Sequence, residues 1–577
     1  MRQLQSLVFI VSVLFCISCS NPDYGDWSSQ LDGLIQEYQD HEGFDKKEYP
    51  LGLFTMAYYE GEANFAKSML ESLSEIKTEN LTETQQISAR LLAFVLQDRI
   101  DYYTYEQYLN PLLSDAGFHS DLTYMVRPLT NLEQVNEYLN KLNAIPGFVD
   151  QNITNLTLGL EKGVSQPRII FEGYASTYND HIVTNYKESF YYSPFKNLPN
   201  ELSQSQKDSI LGVAKEAIES KVVPQFKRIK EFFEKEYLPK TRTTLGVSET
   251  PNGRDFYQNR INFYTTSNSY TADDIHQLGL NEVSRIKGQM KQIISDLNFK
   301  GSFPDFLNFL RTDPQFYAKT ADELLMIARD MAKRADAQLP RFFKTLPRKP
   351  YGVAPVPDAI APKYTGGRYI GTSKESTDPG YYWVNTYDLP SRTLYTLPSL
   401  TVHEAVPGHH LQGSLNNELG DSIPQFRKDL YLSAYGEGWG LYSEFLAEEM
   451  GMYTTPYEHF GKLTYEMWRA CRLVVDTGIH AKGWTREQVI NYMASNTALS
   501  LHEINTETDR YISWPGQALS YKIGELKIRE LRSRAEKQLG AKFDIREFHE
   551  IILEQGTVTL AILEERVDNY IQQNKNE

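Results

Sequence analysis

The stretch Thr401-Val-His-Glu-Ala-Val-Pro-Gly-His-His-Leu-Gln412 gathers three histidines and a glutamate around a Pro-Gly pair. His403-Glu404 matches the start of the zincin motif. There, two histidines four residues apart hold zinc from one helix face, and the intervening glutamate is the general base. The position of the second histidine is occupied by Pro407, and His409 and His410 come two and three residues late. In a straight helix His403 and His410 share a face but stand about 10 Å apart along the axis. That is too far for one zinc with Zn–N distances near ~2.1 Å. Pro407 removes a helical hydrogen bond and clashes with the preceding turn, so a kink or bulge is expected. Gly408 lets the chain take the dihedrals that follow. Pro407-Gly408 therefore reads as an insertion that bends the helix. It gives His403 and His409 as the ligand pair, with His410 as the alternative second ligand. Another His-Glu pair, His502-Glu503, has no histidine nearby downstream and reads as structural.

A zinc site needs a third protein ligand besides its water. The best candidate is Glu437 in Ala434-Tyr-Gly-Glu-Gly-Trp-Gly-Leu-Tyr-Ser-Glu444, where flanking glycines let the backbone come close and a helix follows through Glu449. Glu444, two turns on, is the alternative. Enough chain separates His409 from Glu437 for a loop and a second helix to return beside the first. A His/His/Glu set suits zinc, with cobalt or manganese held less selectively.

The elements that must position these residues are mainly helical. Apolar residues recur at three-to-four spacing in 62–73, 82–96, 132–142 and 210–233. Thr271 and Thr320 read as N-caps, the second as a capping box, opening helices over 275–297 and 324–339; Thr485-Arg-Glu-Gln488 is another box. Helices over 517–539 and 543–555 end at Gly540 and Gly556. Residues 340–400 differ, because nine prolines between Pro340 and Pro398 preclude a long helix. Within them Tyr381–Tyr387 reads as a strand whose free edge would pair with an extended peptide; a hairpin covering the core is the alternative.

Residues 1–18 have the form of a signal peptide: one charged residue, Arg2, and an apolar run from Leu7 to Ile17 too short to span a membrane. The run ends at Ser18-Cys19, which resembles a bacterial lipobox with cleavage before Cys19 and lipid on its sulfur, followed by a tether over 19–26. Plain secretion is the alternative. Cys471 sits in an apolar helical stripe and reads as a buried small hydrophobe. With 59 basic against 75 acidic side chains, net −16, no basic stripe exists to neutralise phosphates, which argues against nucleic-acid binding. No linker or fixed-period repeat divides 27–577, so it is expected to form one helical domain.

The chain resembles the bacterial domain-of-unknown-function family 885. The resemblance rests on Tyr270-Thr-Ala-Asp-Asp-Ile-His-Gln-Leu-Gly-Leu280, His403–Gln412, Glu437-Gly-Trp, Arg472–His480, Gly483–Gln488 and Pro515–Tyr521. The family is grouped with the glutamate zincins. The resemblance thus implies a large, mainly α zincin-like fold with a deep cleft between helical lobes, a small β-sheet beside the site, zinc, and hydrolysis of peptides. In that scheme the zinc water has a lowered pKa, Glu404 takes and passes on its proton, and a downstream tyrosine or histidine helps stabilise the oxyanion. Tyr521 and His480 are the candidates. Asp476 is placed to orient His480 or a zinc-bound histidine, and Arg510 to meet a substrate carboxylate or to pair with neighbouring acids. The expected protein is a lipid-anchored, extracytoplasmic zinc peptidase of the cell envelope. A zinc hydrolase of non-peptide amides or esters, or a non-catalytic peptide-binding lipoprotein, would share these residues.

Overall fold

A computed structural model describes residues 24–358, 360–361, 364–374 and 376–576. The expected signal peptide, Cys19 and most of the expected tether lie outside them. Helices dominate, and their boundaries follow side-chain chemistry. Thr271 and Thr485 each form a reciprocal capping box, with Asp274 and Gln488. Thr320 caps Glu323 N–H, but the expected box is half made: the Glu323 carboxylate turns to the backbone N–H of Lys319 at 2.6 Å. Several helices run longer than their periodicity suggested. One extends over Leu132–Lys162 through Pro146. The helical run from Gln204 to Lys240 takes up its prolines next to two π-helical stretches, Ile218–Val222 and Phe232–Tyr237.

The frame of the molecule is the helix Pro456–Lys482, buried on nearly every face from Phe460 to His480. A helix buried all round belongs in the middle of a large core, and its charged residues, such as Glu466 and Arg472, are paired there. Most of it, including the buried Cys471, packs into one large apolar cluster, while Leu473 joins a second. The helix Ala272–Asp296 lies along it, with Gly279 allowing contact at Leu473 and Val474. The helices Ser433–Glu449 and Ser520–Leu539 approach even more closely: a Cβ on Gly438 would lie 2.6 Å from the Gly524 Cα. Where helices 272–296, 456–482 and 520–539 meet, Lys522 is fully buried between Glu282, Glu466 and Glu525 at 2.9–3.1 Å.

The proline-rich segment holds three strands, β1 (Tyr351–Pro355), β2 (Gly367–Ile370) and β3 (Gly380–Val384), in the order β1–β3–β2. β3 runs parallel to β1 and antiparallel to β2. This corrects the expectation for Tyr381–Tyr387. The strand exists, but it is central and hydrogen-bonded on both sides, so it has no free edge to offer; the outer strand on the site's side is β2. The inner face of β3, Tyr382 and Val384, packs on Leu324, Leu325 and Ala328 of helix Ala321–Phe342 and on Leu397 and Ala405. The sheet is thereby fixed against the short helix Leu397–Glu404 that carries His403 and Glu404.

Candidate metal centre

Helix Leu397–Glu404 stops at Glu404, and a new helix, His409–Asn417, starts five residues on. The turn between them is tight: Gly408 N–H returns to Val402 C=O at 2.9 Å and His410 N–H to Ala405 C=O at 3.1 Å. A Cβ at Gly408 would fall 1.9 Å from the His403 carbonyl oxygen, so only glycine fits. Trp439 Nε1 donates to the Pro407 carbonyl at 2.8 Å and ties the turn to helix 433–449. The break brings His409 back over His403, with ring centroids 4.8 Å apart and planes nearly perpendicular.

Glu437 completes the group. It sits at the start of the second turn of helix 433–449. Its Oε2 lies 3.5 Å from His403 Nε2 and 3.4 Å from His409 Nε2, and one ligand atom from each of the three residues lies within 4.8 Å of the others. Two ligands about 2.05 Å from a tetrahedral zinc are separated by roughly 3.3 Å, so the donor set and its spacing fit such an ion. Tyr431 donates its hydroxyl to Glu437 Oε1 at 2.9 Å, leaving Oε2 to the histidines. His410 is turned away. Its Nδ1 faces the Tyr369 hydroxyl at 3.1 Å and Ser414 Oγ at 3.3 Å, and burial lowers its pKa to about 4.

Behind His403 stands Glu444. His403 Nδ1 donates to Glu444 Oε1 at 2.8 Å, with both side chains almost wholly buried. This bond leaves Nε2 as the atom aimed at Glu437 and His409. Glu444 is thus not an alternative to Glu437 but a second carboxylate with a different task. The two lie seven residues apart, hence on one face of the helix. Gly440 makes room for the ring: a Cβ there would meet His403 Cε1 at 2.6 Å. Burial opposes charge on His403, but hydrogen bonds to Glu437 and Glu444 overcome it and hold the pKa up to about 10. Burial likewise disfavours the Glu437 anion, and His409 and His403 outweigh it, keeping the carboxyl well below the usual range.

Glu404 lies against β2, where the backbone N–H of Tyr369 donates to its Oε2 at 2.8 Å. Beside it Arg368 feels the charge of Glu404 and Glu437 and has no carboxylate within ion-pair distance among the described residues. Nothing in the sequence pattern of 365–370 marks Arg368 or the Tyr369 amide as site groups; only the strand's register puts them there.

The other candidates divide. Tyr521 flanks the cluster: its hydroxyl accepts from Arg510 Nη2 at 3.4 Å and lies near enough to act on Tyr431. Arg510 also donates to Gln517 at 2.7 Å and pairs loosely with Glu507 at 3.4 Å. His480 is not brought to the cluster. It is fully buried, with Nδ1 accepting from Val247 N–H at 3.1 Å and Nε2 donating to the Tyr511 carbonyl at 2.9 Å. Burial pulls its pKa down to about 3. Both ring nitrogens are thus committed to the backbone, which leaves none for a reacting group. Asp476 does not orient His480 or His403; it accepts from the Tyr257 hydroxyl at 2.7 Å and from Gly516 N–H at 3.2 Å.

Comparison with known proteins gives relatives without an assigned activity. Among solved structures, a "putative lipoprotein" from Colwellia psychrerythraea superposes with a TM-score of 0.85 at 27% identity, covering 95% of this chain and 99% of that one. A "putative lipoprotein of unknown function" from Shewanella oneidensis shares the fold, with a TM-score of 0.68 at 18% identity over 94% and 97% of the two chains. No curated protein matches the chain. Residues 37–567 match the family described as "Bacterial protein of unknown function (DUF885)", and the chain belongs to that family.

Proposed function

We propose that this protein is a zinc-dependent hydrolase of the cell envelope that cleaves peptides. The observation that carries the reading is the convergence of His403, His409 and Glu437, with Glu404 beside them and Glu444 fixing the tautomer of His403. A zinc ion held by the three ligands would supply an activated water and a Lewis acid for the scissile carbonyl. Glu404 is the proton carrier. Its Oε2 is occupied by Tyr369 N–H, so Oε1 takes the proton and hands it to the leaving amine. Arg368, beside the two carboxylates, and the hydroxyl of Tyr521 are the nearby donors for developing negative charge, the Tyr431 hydroxyl being given to Glu437. A peptide substrate is favoured because β2 is the outer strand on the site's side; its Tyr369 N–H is taken by Glu404, and an extended chain would pair with outward backbone groups beyond that point. The zincin-like fold with a cleft between lobes belongs to the same reading. It is supported by Tyr431, which is 55% exposed and yet set so deep among protein atoms that burial drives its hydroxyl pKa well up. That the Colwellia psychrerythraea relative is a "putative lipoprotein" supports lipid attachment, for which Cys19 is the candidate, and an envelope location.

The test is elemental analysis of wild type beside His409→Ala and His410→Ala, followed by peptide-library cleavage with Glu404→Gln as the control. The proposal expects about one zinc per chain in wild type and His410→Ala, none in His409→Ala, and cleavage abolished by Glu404→Gln. Wild type without zinc after zinc is supplied, or full cleavage by Glu404→Gln, overturns it.

A further inference from the structure

A cavity of about 620 Å³ lies apart from the metal cluster, and none of the cluster's residues lines it. Its walls come from three parts of the chain: residues 102–113 with 162–166, residues 242–264, and residues 512–515. The volume falls in the range of small-molecule sites, roughly 300–1,000 Å³. Five aromatic residues line it, Tyr102, Tyr105, Phe256, Tyr264 and Trp514. The indole of Trp514 is fixed as a wall, since Nε1 donates to the Tyr264 hydroxyl at 2.6 Å.

The charges of the lining do not cancel. Lys162 is paired with Glu106, and Arg260 with Asp98 at 2.9 Å. Arg242 has no carboxylate within ion-pair distance among the described residues. Its guanidinium is held by backbone carbonyls alone: Nε by Ser165 at 2.7 Å, and Nη1 by Thr244 at 2.7 Å and Gly246 at 3.0 Å. Nη2 carries no hydrogen bond to the described residues. Burial brings the Arg242 pKa down to about 10, against longer-range pulls from Glu249 and Tyr237. A half-buried guanidinium with no counter-charge, locked in orientation by backbone carbonyls, is prepared for an anion at its remaining nitrogen.

We propose that this cavity is a second ligand site, for a small carboxylate with an aromatic or apolar body. The carboxylate meets Arg242 Nη2 and the body lies among the aromatic walls. The C-terminal residue of a peptide has this chemistry, but the site does not depend on the hydrolase reading.

The test is calorimetric titration of the full-length chain in nonionic detergent with N-acetyl-L-phenylalanine and, separately, with its uncharged amide. The acid is expected to bind saturably and the amide at least tenfold more weakly, because one charge-assisted hydrogen bond is lost. Arg242→Gln removes the preference for the acid. Thr104 stands exposed at the rim, and its hydroxyl bonds only the Ile100 carbonyl at 2.8 Å. Thr104→Trp therefore fills the cavity without disturbing the core and abolishes binding of both compounds; it decides the matter should Arg242→Gln fail to fold. His403→Ala leaves binding within twofold. No saturable binding of the acid, equal binding of acid and amide, or binding lost in His403→Ala but kept in Thr104→Trp overturns the proposal.

Discussion

Replacing Glu444 by glutamine tests whether His403 is held for metal binding. The His403–Glu444 bond is 2.8 Å long, and the two side chains are 4% and 2% exposed. Neither water nor salt screens it appreciably. Glutamine can still accept from Nδ1–H through its oxygen, so the ring keeps its tautomer and loses only the charge of its partner. A hydrogen bond to a charged group contributes ~1.5–3 kcal/mol and a neutral one ~0.5–1.5. The difference is about 1–1.5 kcal/mol, or close to tenfold in zinc affinity. Glu444→Ala also leaves Nδ1–H buried without a partner, and should approach the upper end of the ~10–100-fold loss typical of such outer partners. Arg469, 5% exposed with Nη2 3.7 Å from Glu444 Oε1, loses its nearest carboxylate in both variants, so some loss of stability accompanies the loss of metal. Competition against a chromogenic chelator at 25 °C, far below unfolding, reads affinity alone. Glu448→Gln is the control: Glu448 is 52% exposed and only 3.6 Å from Lys462, a pair worth little. Zinc affinities of Glu444→Gln and Glu444→Ala both within twofold of wild type would refute the argument.

Three further outcomes follow from the same geometry. Gly440→Ala puts a methyl group 2.6 Å from the His403 ring; it should cost about 1–3 kcal/mol by overpacking and weaken zinc binding at least tenfold, and an unchanged affinity would mean the ring has room to move. Lys522→Ala leaves Glu282, Glu466 and Glu525 sharing Arg285, Arg529 and Lys462; denaturant unfolding should show a loss of about 3–5 kcal/mol, and a loss below 1 kcal/mol would count against a buried network. Asp476 is fully buried, and burial raises its pKa from 3.8 to about 7. The folded state therefore keeps the proton at pH values where the unfolded chain has lost it. The stability this contributes is complete below about pH 4 and is lost as pH rises through 7, roughly 3 kcal/mol of it between pH 5 and 8. Asp476→Asn cannot ionise, so its stability relative to wild type should rise by about that much from pH 5 to pH 8, as read by denaturant midpoints; an equal difference at both pH values would dismiss the shift.

Much of the scaffold was legible from local signals, because caps and apolar periodicity are local physics. Thr271 and Thr485 declare their helices within four residues, and Gly540 and Gly556 end theirs at positive φ, +54° and +67°. The break at Pro407-Gly408 was legible for the same reason. What could not be read was the choice between the two histidines, since it depends on how a turn of a few residues closes against Trp439, far away in the chain. Sheet order escaped for a similar reason: β3 is the strongest strand by composition, and that strength is what places it in the middle rather than at the edge. His480 and Asp476 were misplaced because a histidine near an aspartate carries the same letters whether it faces a ligand or is committed to the backbone of its own core. Glu444 was visible as a candidate, and its seven-residue spacing from Glu437 pointed to one helix face; its role depends on which nitrogen of His403 it meets.

In an ordinary zincin helix two ligands share one face, so their relative position is secured by the helix's own hydrogen bonds. Here each candidate ligand stands on a different helix. His403 lies at the end of 397–404, His409 at the start of 409–417, and Glu437 at the start of the second turn of 433–449. Their convergence is a property of tertiary packing, and the sites that secure it are glycines. Gly408 lets the turn close on the His403 carbonyl, Gly440 admits the His403 ring, and Gly438 against Gly524 sets how deeply helix 433–449 sits. Cation binding at this point would therefore tie three helices and the β2 edge to one another, and the rigidity of the metal centre and the stability of the surrounding core would rise and fall together. A helix that only buried apolar surface would have little reason to carry three glycines within five residues, each costing up to about 1 kcal/mol against alanine. Carrying them is reasonable where the alternative is to lose the approach of Glu437 to the two imidazoles.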